Sequence, residues 1–202
     1  MKRILGFLYF IFCKIFFKLY CPVKVSGHHH LPKTPFILCS NHNSHMDTPV
    51  LMIATGMSFN RFGMIAAKDY FFDHRWRKWF GMIMNLIPFN RDISRTSLIN
   101  DISACQHFVK HKERHLIIYP EGTRSITGEM RSFKRGPAMI AQQLAMPLVP
   151  AYIEGTFDAM KKGQFFPKAR KIHVKFGKPI LAGADKKQIT HLLENEIKEL
   201  KN

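Results

Sequence analysis

The stretch Asn41-His42-Asn43-Ser44-His45-Met46-Asp47 carries residue types suited to proton transfer, directly behind the apolar run Phe36-Ile37-Leu38-Cys39. A histidine titrates near neutrality and can take a proton from a hydroxyl. A neighbouring carboxylate fixes its tautomer and stabilises the imidazolium that forms. His42 and Asp47 stand five positions apart, which on a continuous helix would rotate the side chain roughly 500° and leave the two about 140° apart. They meet only where the chain turns between them, as at a strand end that leads into a helix. Two other readings stand beside this one. Ser44 and Asp47 fit a capping box, while Pro49 at a first helical position would make Thr48 the cap. His42, His45 and Asp47 could also be metal ligands, but no Cys/His cluster elsewhere has the spacing to complete a site, and no metal is expected.

Other polar groups recur in the same setting, just after an apolar run. Met64-Ile65-Ala66-Ala67 ends at Lys68, and Leu86-Ile87-Pro88-Phe89-Asn90 ends at Arg91. His115-Leu116-Ile117-Ile118-Tyr119 opens into Pro120-Glu121-Gly122-Thr123-Arg124-Ser125. A tight turn with an arginine beside exposed backbone N–H groups binds phosphate oxygens. Phe133-Lys134-Arg135-Gly136-Pro137 leads into a helix over about 137–145, whose N-terminus and cations also favour an anion. G-x-S-x-G is absent, so a base without a protein nucleophile points to attack by the substrate's own hydroxyl.

Strands alternating with helices must position these groups. Strands are predicted at 23–25, 35–39, 64–67, 115–119, 147–153 and 171–176, with helices over 49–55, 94–110, 137–145 and 186–201. Pro150 inside an apolar strand predicts an edge or a bulge there, and His28-His29-His30 reads as a solvent loop. The pattern is a single α/β domain with its site at the strand ends, without repeats or interdomain linkers.

Lys and Arg number 31 against 14 Asp and Glu, a net charge of +17. Such an excess suits nucleic acid, an anionic membrane surface or phosphorylated substrates. The four cysteines show no pairing pattern, which suggests free thiols in a reducing compartment. Residues 4–20 are the most apolar segment, yet Lys14 and Lys18 interrupt the run of about 20 apolar residues that a spanning helix needs. The two lysines share a helical face and phenylalanines cover the rest, the pattern of an interfacial amphipathic helix; a core helix is the competing reading. The interleaved aromatic and basic residues of 71–84 suit single-stranded nucleic acid or a bilayer interface.

Taken in order, these motifs resemble those of the glycerophospholipid acyltransferases, in particular the 1-acylglycerol-3-phosphate acyltransferases. Asn41-His42-x4-Asp47 is similar to the H-x4-D box, Phe89-Asn90-Arg91 to the second motif, Tyr119-Pro-Glu-Gly-Thr-Arg-Ser125 to the third and Val149-Pro150 to the fourth. Pro88 departs from the commoner aromatic or aliphatic residue of the second motif. The resemblance implies a mixed β-sheet flanked by helices, with residues 1–24 associating with the membrane and 25–202 forming the catalytic domain. It implies His42 as general base, Asp47 as its orienting partner, and a phosphate site built from Lys68, Arg91, Glu121, Gly122, Thr123 and Arg124. Glu121 is expected to position Arg124 rather than to touch phosphate. The implied reaction moves an acyl group from acyl-CoA or acyl carrier protein to the free hydroxyl of a lysophospholipid, foremost 1-acylglycerol-3-phosphate, with no cofactor. Another lysophospholipid or a glycerol-3-phosphate-type acceptor is the alternative. The expected place is the cytoplasmic face of an anionic membrane. Nucleic acid is not an expected partner, although a basic protein that binds nucleic acid or membrane without catalysis is the reading from a different class.

Overall fold

The computed structural model describes residues 2–68, 81, 85–90, 95–110 and 114–202. Its strands are β1 (Val23–Ser26), β2 (Ile37–Ser40), β3 (Phe62–Ala67), β4 (Leu86–Phe89), β5 (His115–Ile118), β6 (Leu148–Glu154) and β7 (Ile172–Phe176). The helices are α1 (Lys2–Leu19), α2 (Asp47–Ala54), α3 (Arg95–Lys110), α4 (Gly136–Leu144), α5 (Thr156–Ala159) and α6 (Lys186–Glu199). The strands form one sheet in the order β1-β7-β6-β2-β5-β3-β4, in which only β6 and β7 pair antiparallel. It is the α/β sheet that the alternation of elements predicts, in the mixed, helix-flanked form that the family resemblance implies.

A sheet covered on both faces needs apolar side chains at successive strand positions, and the central strands supply them. Phe36, Leu38, Ile117, Val149 and Ile153 point to the face covered by α1 and α2. Ile37, Cys39, Leu116, Ile118 and Leu148 point to the other, where Cys105, Ile140, Ile189, Leu193 and Ile197 from α3, α4 and α6 meet them. Burying each large aliphatic or aromatic side chain contributes about 1.5–3 kcal/mol. Because β2, β3, β4, β5 and β6 run parallel, their C-terminal ends lie along one edge, and there the polar motifs converge.

Several elements differ from expectation. β6 lies inside the sheet, so Pro150 is not on an edge. Instead it sits at a bulge: from Leu148↔Ile180 to Ala151↔Phe176 the chain advances three residues on one side and four on the other. Pro88 does lie on an edge strand, β4, where a missing N–H is tolerated. His28–His30 form a 3-10 turn rather than a plain loop, with His28 Nε2 bonded to the Thr55 carbonyl at 3.1 Å and His30 Nδ1 to that of Phe176 at 2.9 Å. The helix expected from residue 49 starts at Asp47, which puts Pro49 in its third position and leaves Thr48 inside the helix rather than at its cap.

α1 is apolar nearly all round, and its two faces meet different surroundings. Cys13 and Phe17 are buried in the main core, and Tyr9 and Phe10 each pack against Phe59 with ring centroids 5.3 Å apart, the first tilted and the second edge-on. On the opposite face Phe7, Leu8, Phe12, Ile15 and Leu19 are exposed. The expected segment boundary after residue 24 falls within β1, which pairs with β7 over Val23–Ser26. The aromatic and basic stretch expected at 71–84 lies outside the described residues, apart from Gly81.

His115, at the start of β5, is fully buried between Phe36 and Phe62, with ring centroids at 4.1 and 5.3 Å, and neither ring nitrogen has a hydrogen-bond partner. Burial, reinforced by Arg61, pulls its pKa down to about 4. From an ordinary value near 6.5 down to about 4 the unfolded chain binds a proton that the folded chain refuses, so stability is lost as pH falls through that window. Replacing His115 by phenylalanine should therefore raise the melting temperature at about pH 5 by a few degrees more than at about pH 8. Thermal melts of both proteins at the two pH values measure the difference, and equal shifts at both would contradict the assignment.

Candidate active site

The chain leaving β2 turns back on itself, and the Asp47 carboxylate holds the turn. Asp47 Oδ2 accepts hydrogen bonds from His42 Nδ1 at 2.8 Å, Asn43 N at 2.7 Å and Ser44 N at 2.8 Å. A carboxylate can only accept here, so His42 carries its proton on Nδ1 and Nε2 keeps a free lone pair on the opposite edge of the ring. Asp47 is 0 % exposed and its other oxygen, Oδ1, is buried without a partner. One oxygen of Asp47 thus both organises the turn and orients the His42 ring.

Neighbouring strands fix the rest of the loop. Asn41 pairs its side-chain amide with the backbone of β6, donating Nδ2 to Ile153 O at 2.9 Å and accepting Ile153 N–H at 2.8 Å. Glu121 Oε1 accepts His42 N–H at 2.8 Å, and Oε2 accepts Arg131 N–H at 2.9 Å. Burial raises the Glu121 pKa, and these two amide donors partly offset the rise. Glu121 therefore braces the base's own backbone; it does not pair with Arg124 as the sequence suggested. Tyr119 lies flat against His42, with ring centroids 3.8 Å apart and planes 11° off parallel, and its hydroxyl bonds Thr48 Oγ1 at 2.7 Å. Sequence reasoning missed this shelf. Its signal was a tyrosine closing an apolar strand, whose buried hydroxyl had to find a partner.

The turn after β5 closes with Gly122 N–H donating to Tyr119 O at 3.0 Å, and Ser125 N–H donates to His42 O at 2.8 Å. These two amides, expected to face a ligand, serve the fold instead. Gly122 has φ 71, and a Cβ there would lie 3.1 Å from Lys134 Nζ, so the glycine both permits the turn and lets the lysine approach. Arg124 Nη1 is buried and unpartnered. A buried guanidinium donor without an acceptor costs about 1–3 kcal/mol, and an anionic ligand would relieve that cost.

A cavity of about 1320 Å³ joins these groups, lined by His42, Gly122, Thr123, Arg124, Lys134, Arg135 and Lys186 and by the apolar Met64, Ile65, Leu86, Phe89, Ile118, Met139 and Ile140. His45 lines it too, and burial, with Arg124 and His42 nearby, lowers its pKa to about 4. His45 is therefore neutral near pH 7. The structure brings together His42, Asp47, Glu121, Gly122, Thr123 and Arg124. Lys68 is exposed beyond β3 and is not part of this lining, so the described structure gives it no place in the anion site. Arg91 lies outside the described residues, but Asn90 before it is anchored: buried Asp101 accepts its backbone N–H at 2.8 Å and its Nδ2 at 3.2 Å. The cations Lys134 and Arg135, just before α4, and Lys186, at the start of α6, join the site, and of these only the first two were flagged by the sequence.

Replacing Asp47 by alanine should destabilise the protein by about 2–4 kcal/mol, because two buried amide donors and the imidazole lose their acceptor together. Replacing His42 by alanine removes one of those donors and should cost less than half as much. Urea unfolding of the two variants measures the contrast, and equal losses would refute the organising role of Asp47.

The family model described as Acyltransferase matches residues 22–154, and so covers all but the last stretch of the site. The 1-acyl-sn-glycerol-3-phosphate acyltransferase of Limnanthes douglasii is 32% identical over 162 residues, 79% of this chain and 54% of that protein. Those of Saccharomyces cerevisiae (33% identical, 66% of this chain, 43% of the relative) and Cocos nucifera (36%, 59% and 40%) match similarly. The chain thus spans about half the length of the curated relatives it matches. The crystal structure of the 1-acyl-sn-glycerophosphate (LPA) acyltransferase PlsC from Thermotoga maritima superposes with a TM-score of 0.73 at 25% identity, covering 99% of this chain and 81% of that one. With sequence model, relatives and fold in agreement over the stretch that carries the His42–Asp47 pair, this chain belongs to the Acyltransferase family.

Proposed function

We propose that the protein is an O-acyltransferase that converts 1-acylglycerol-3-phosphate and an acyl thioester into phosphatidic acid and a free thiol. The observation that carries the reading is the Nδ1-bonded His42, with its Nε2 free, in a cavity that combines an unpaired arginine with an apolar lining. Nε2 takes the proton of the acceptor hydroxyl as its oxygen attacks the thioester carbonyl carbon. A C–O bond forms, the C–S bond then breaks, and the imidazolium returns its proton to the departing sulfur. Asp47 steadies the imidazolium while it exists, and Tyr119 keeps the ring in plane.

Arg124 and Lys134 favour a phosphate-bearing acceptor, which is the support for lysophosphatidate over a neutral lysolipid. Arg135 and Lys186 add positive charge that suits the phosphates of coenzyme A or of an acyl carrier protein's prosthetic arm. The apolar part of the cavity suits an acyl chain. α1 supports work at a membrane surface. No described helix is long and apolar enough to span a bilayer, but α1 presents exposed Phe7, Phe12, Ile15 and Leu19 together with Lys14 and Lys18, the composition of a helix lying at an anionic interface. The cytoplasmic face is proposed from the four free thiols.

Thiol release from palmitoyl-CoA in the presence of lysophosphatidate tests the reading. His42→Ala should lower the rate roughly 10²–10⁴-fold with the fold retained, and equal release from wild type and variant would sink the reading. Arg124→Ala should raise the KM for lysophosphatidate far more than that for a lysolipid without an exposed phosphate monoester. If both acceptors suffer alike, Arg124 does not bind phosphate.

A further inference from the structure

The loop between α5 and β7 carries Lys161-Lys162-Gly163-Gln164-Phe165-Phe166-Pro167-Lys168. Phe165 and Phe166 are 89% and 87% exposed, more than any other large hydrophobic residue among those described. The loop is well held beneath them. Gln164 N–H donates to Lys161 O at 3.1 Å, Gln164 Oε1 accepts Lys161 N–H at 2.9 Å, and Lys168 N–H donates to Ala159 O at 2.7 Å. Two phenylalanines displayed on a hydrogen-bonded tip need an apolar environment that the described residues do not supply.

The surrounding charge indicates which environment that is. Between Asp158 and Asp185 the sequence has seven Lys and Arg and no Asp or Glu, and Lys161, Lys162 and Lys168, which flank the aromatic pair, are all exposed. Basic side chains ringing exposed aromatics match an anionic lipid surface, with rings in the acyl boundary and cations at the phosphates. The tip is also tied to both parts of the machinery. Tyr20, just past α1, donates its hydroxyl to Pro167 O at 3.1 Å, and Cys21 Sγ lies 3.5 Å from Lys168 O. Ser44, within the His42–Asp47 turn, donates Oγ to Met160 O at 2.8 Å, and Lys162 lines the catalytic cavity.

We infer that Phe165 and Phe166 form a second insertion point that enters an anionic bilayer beside the exposed face of α1 and sets the catalytic cavity against the lipid. The inference rests on the membrane-surface reading of α1. A helix lying in the interface can roll about its axis, whereas a helix and a separate loop tip together fix one orientation.

All four native cysteines are buried, so Phe166→Cys can be labelled selectively with an environment-sensitive fluorophore. Vesicles of phosphatidylcholine with phosphatidylglycerol should blue-shift the label, and pure phosphatidylcholine should do so much less. The double variant Phe165→Ala/Phe166→Ala should bind the anionic vesicles about tenfold more weakly or worse. Its melting temperature and its turnover of short-chain, monomeric substrates should be unchanged. If wild type binds vesicles while the label stays in water and the double variant binds equally well, the loop inference falls and the membrane reading of α1 stands. If wild type does not bind vesicles at all, both fall. A blue shift that grows with protein concentration in the absence of lipid would assign the tip to a second copy of the chain and overturn the inference.

Discussion

The single carboxylate oxygen of Asp47 is the constraint on which the site depends. It accepts three hydrogen bonds from consecutive residues, His42, Asn43 and Ser44, and so converts a strand exit into a turn that folds the base over the start of α2. A hydrogen bond to a charged acceptor is roughly twice as strong as a neutral one, and three of them on a fully buried oxygen make the turn costly to undo. The same oxygen fixes the tautomer of His42. Loop and ring are therefore not separable here, because any change that frees the loop also frees the His42 imidazole.

The sheet extends this control over distance. Since β2 is flanked by β5 and β6 in parallel register, the segments leaving all three strands emerge side by side. Asn41 reaches one flank through Ile153, and His42 reaches the other through Glu121 and Ser125. Glu121 is a carboxylate inside a strongly basic site, yet its two oxygens are taken up by backbone amides. Glu121 is thereby turned away from Arg124, whose Nη1 has no hydrogen-bond partner among the described residues. The positive character of the cavity comes from directing Glu121 elsewhere as much as from gathering cations.

α1 illustrates how a nearly all-apolar helix can serve two solvents. Cys13 and Phe17 complete the core over the α2 face of the sheet, and Tyr9 reaches the catalytic cavity itself. On the outward face Phe7, Leu8, Phe12, Ile15 and Leu19 stay exposed among the described residues. On the proposed membrane reading, such a helix is both core element and docking face, and couples the position of the protein on a surface to the geometry of its cavity.

By itself the sequence determined the element types, the H-x4-D pair and the turn after β5, because local spacing and apolar runs encode these directly. It also excluded a continuous helix between His42 and Asp47, on rotation alone. Roles that depend on partners distant in the chain were not legible. Glu121 reads as a partner for Arg124, three positions away, but its oxygens belong to His42 and Arg131. Pro150 reads as an edge or a bulge, and only the order of the strands decides for the bulge, inside the sheet. Lys68 ends a strand as Arg124 follows one, but only Arg124 reaches the cavity. Tyr119 could not be identified as the shelf beneath His42, nor Phe165 and Phe166 as an ordered display. Hydrogen-bond geometry and burial are settled by which strands lie side by side, and that order, β1-β7-β6-β2-β5-β3-β4, exists only once the chain has folded.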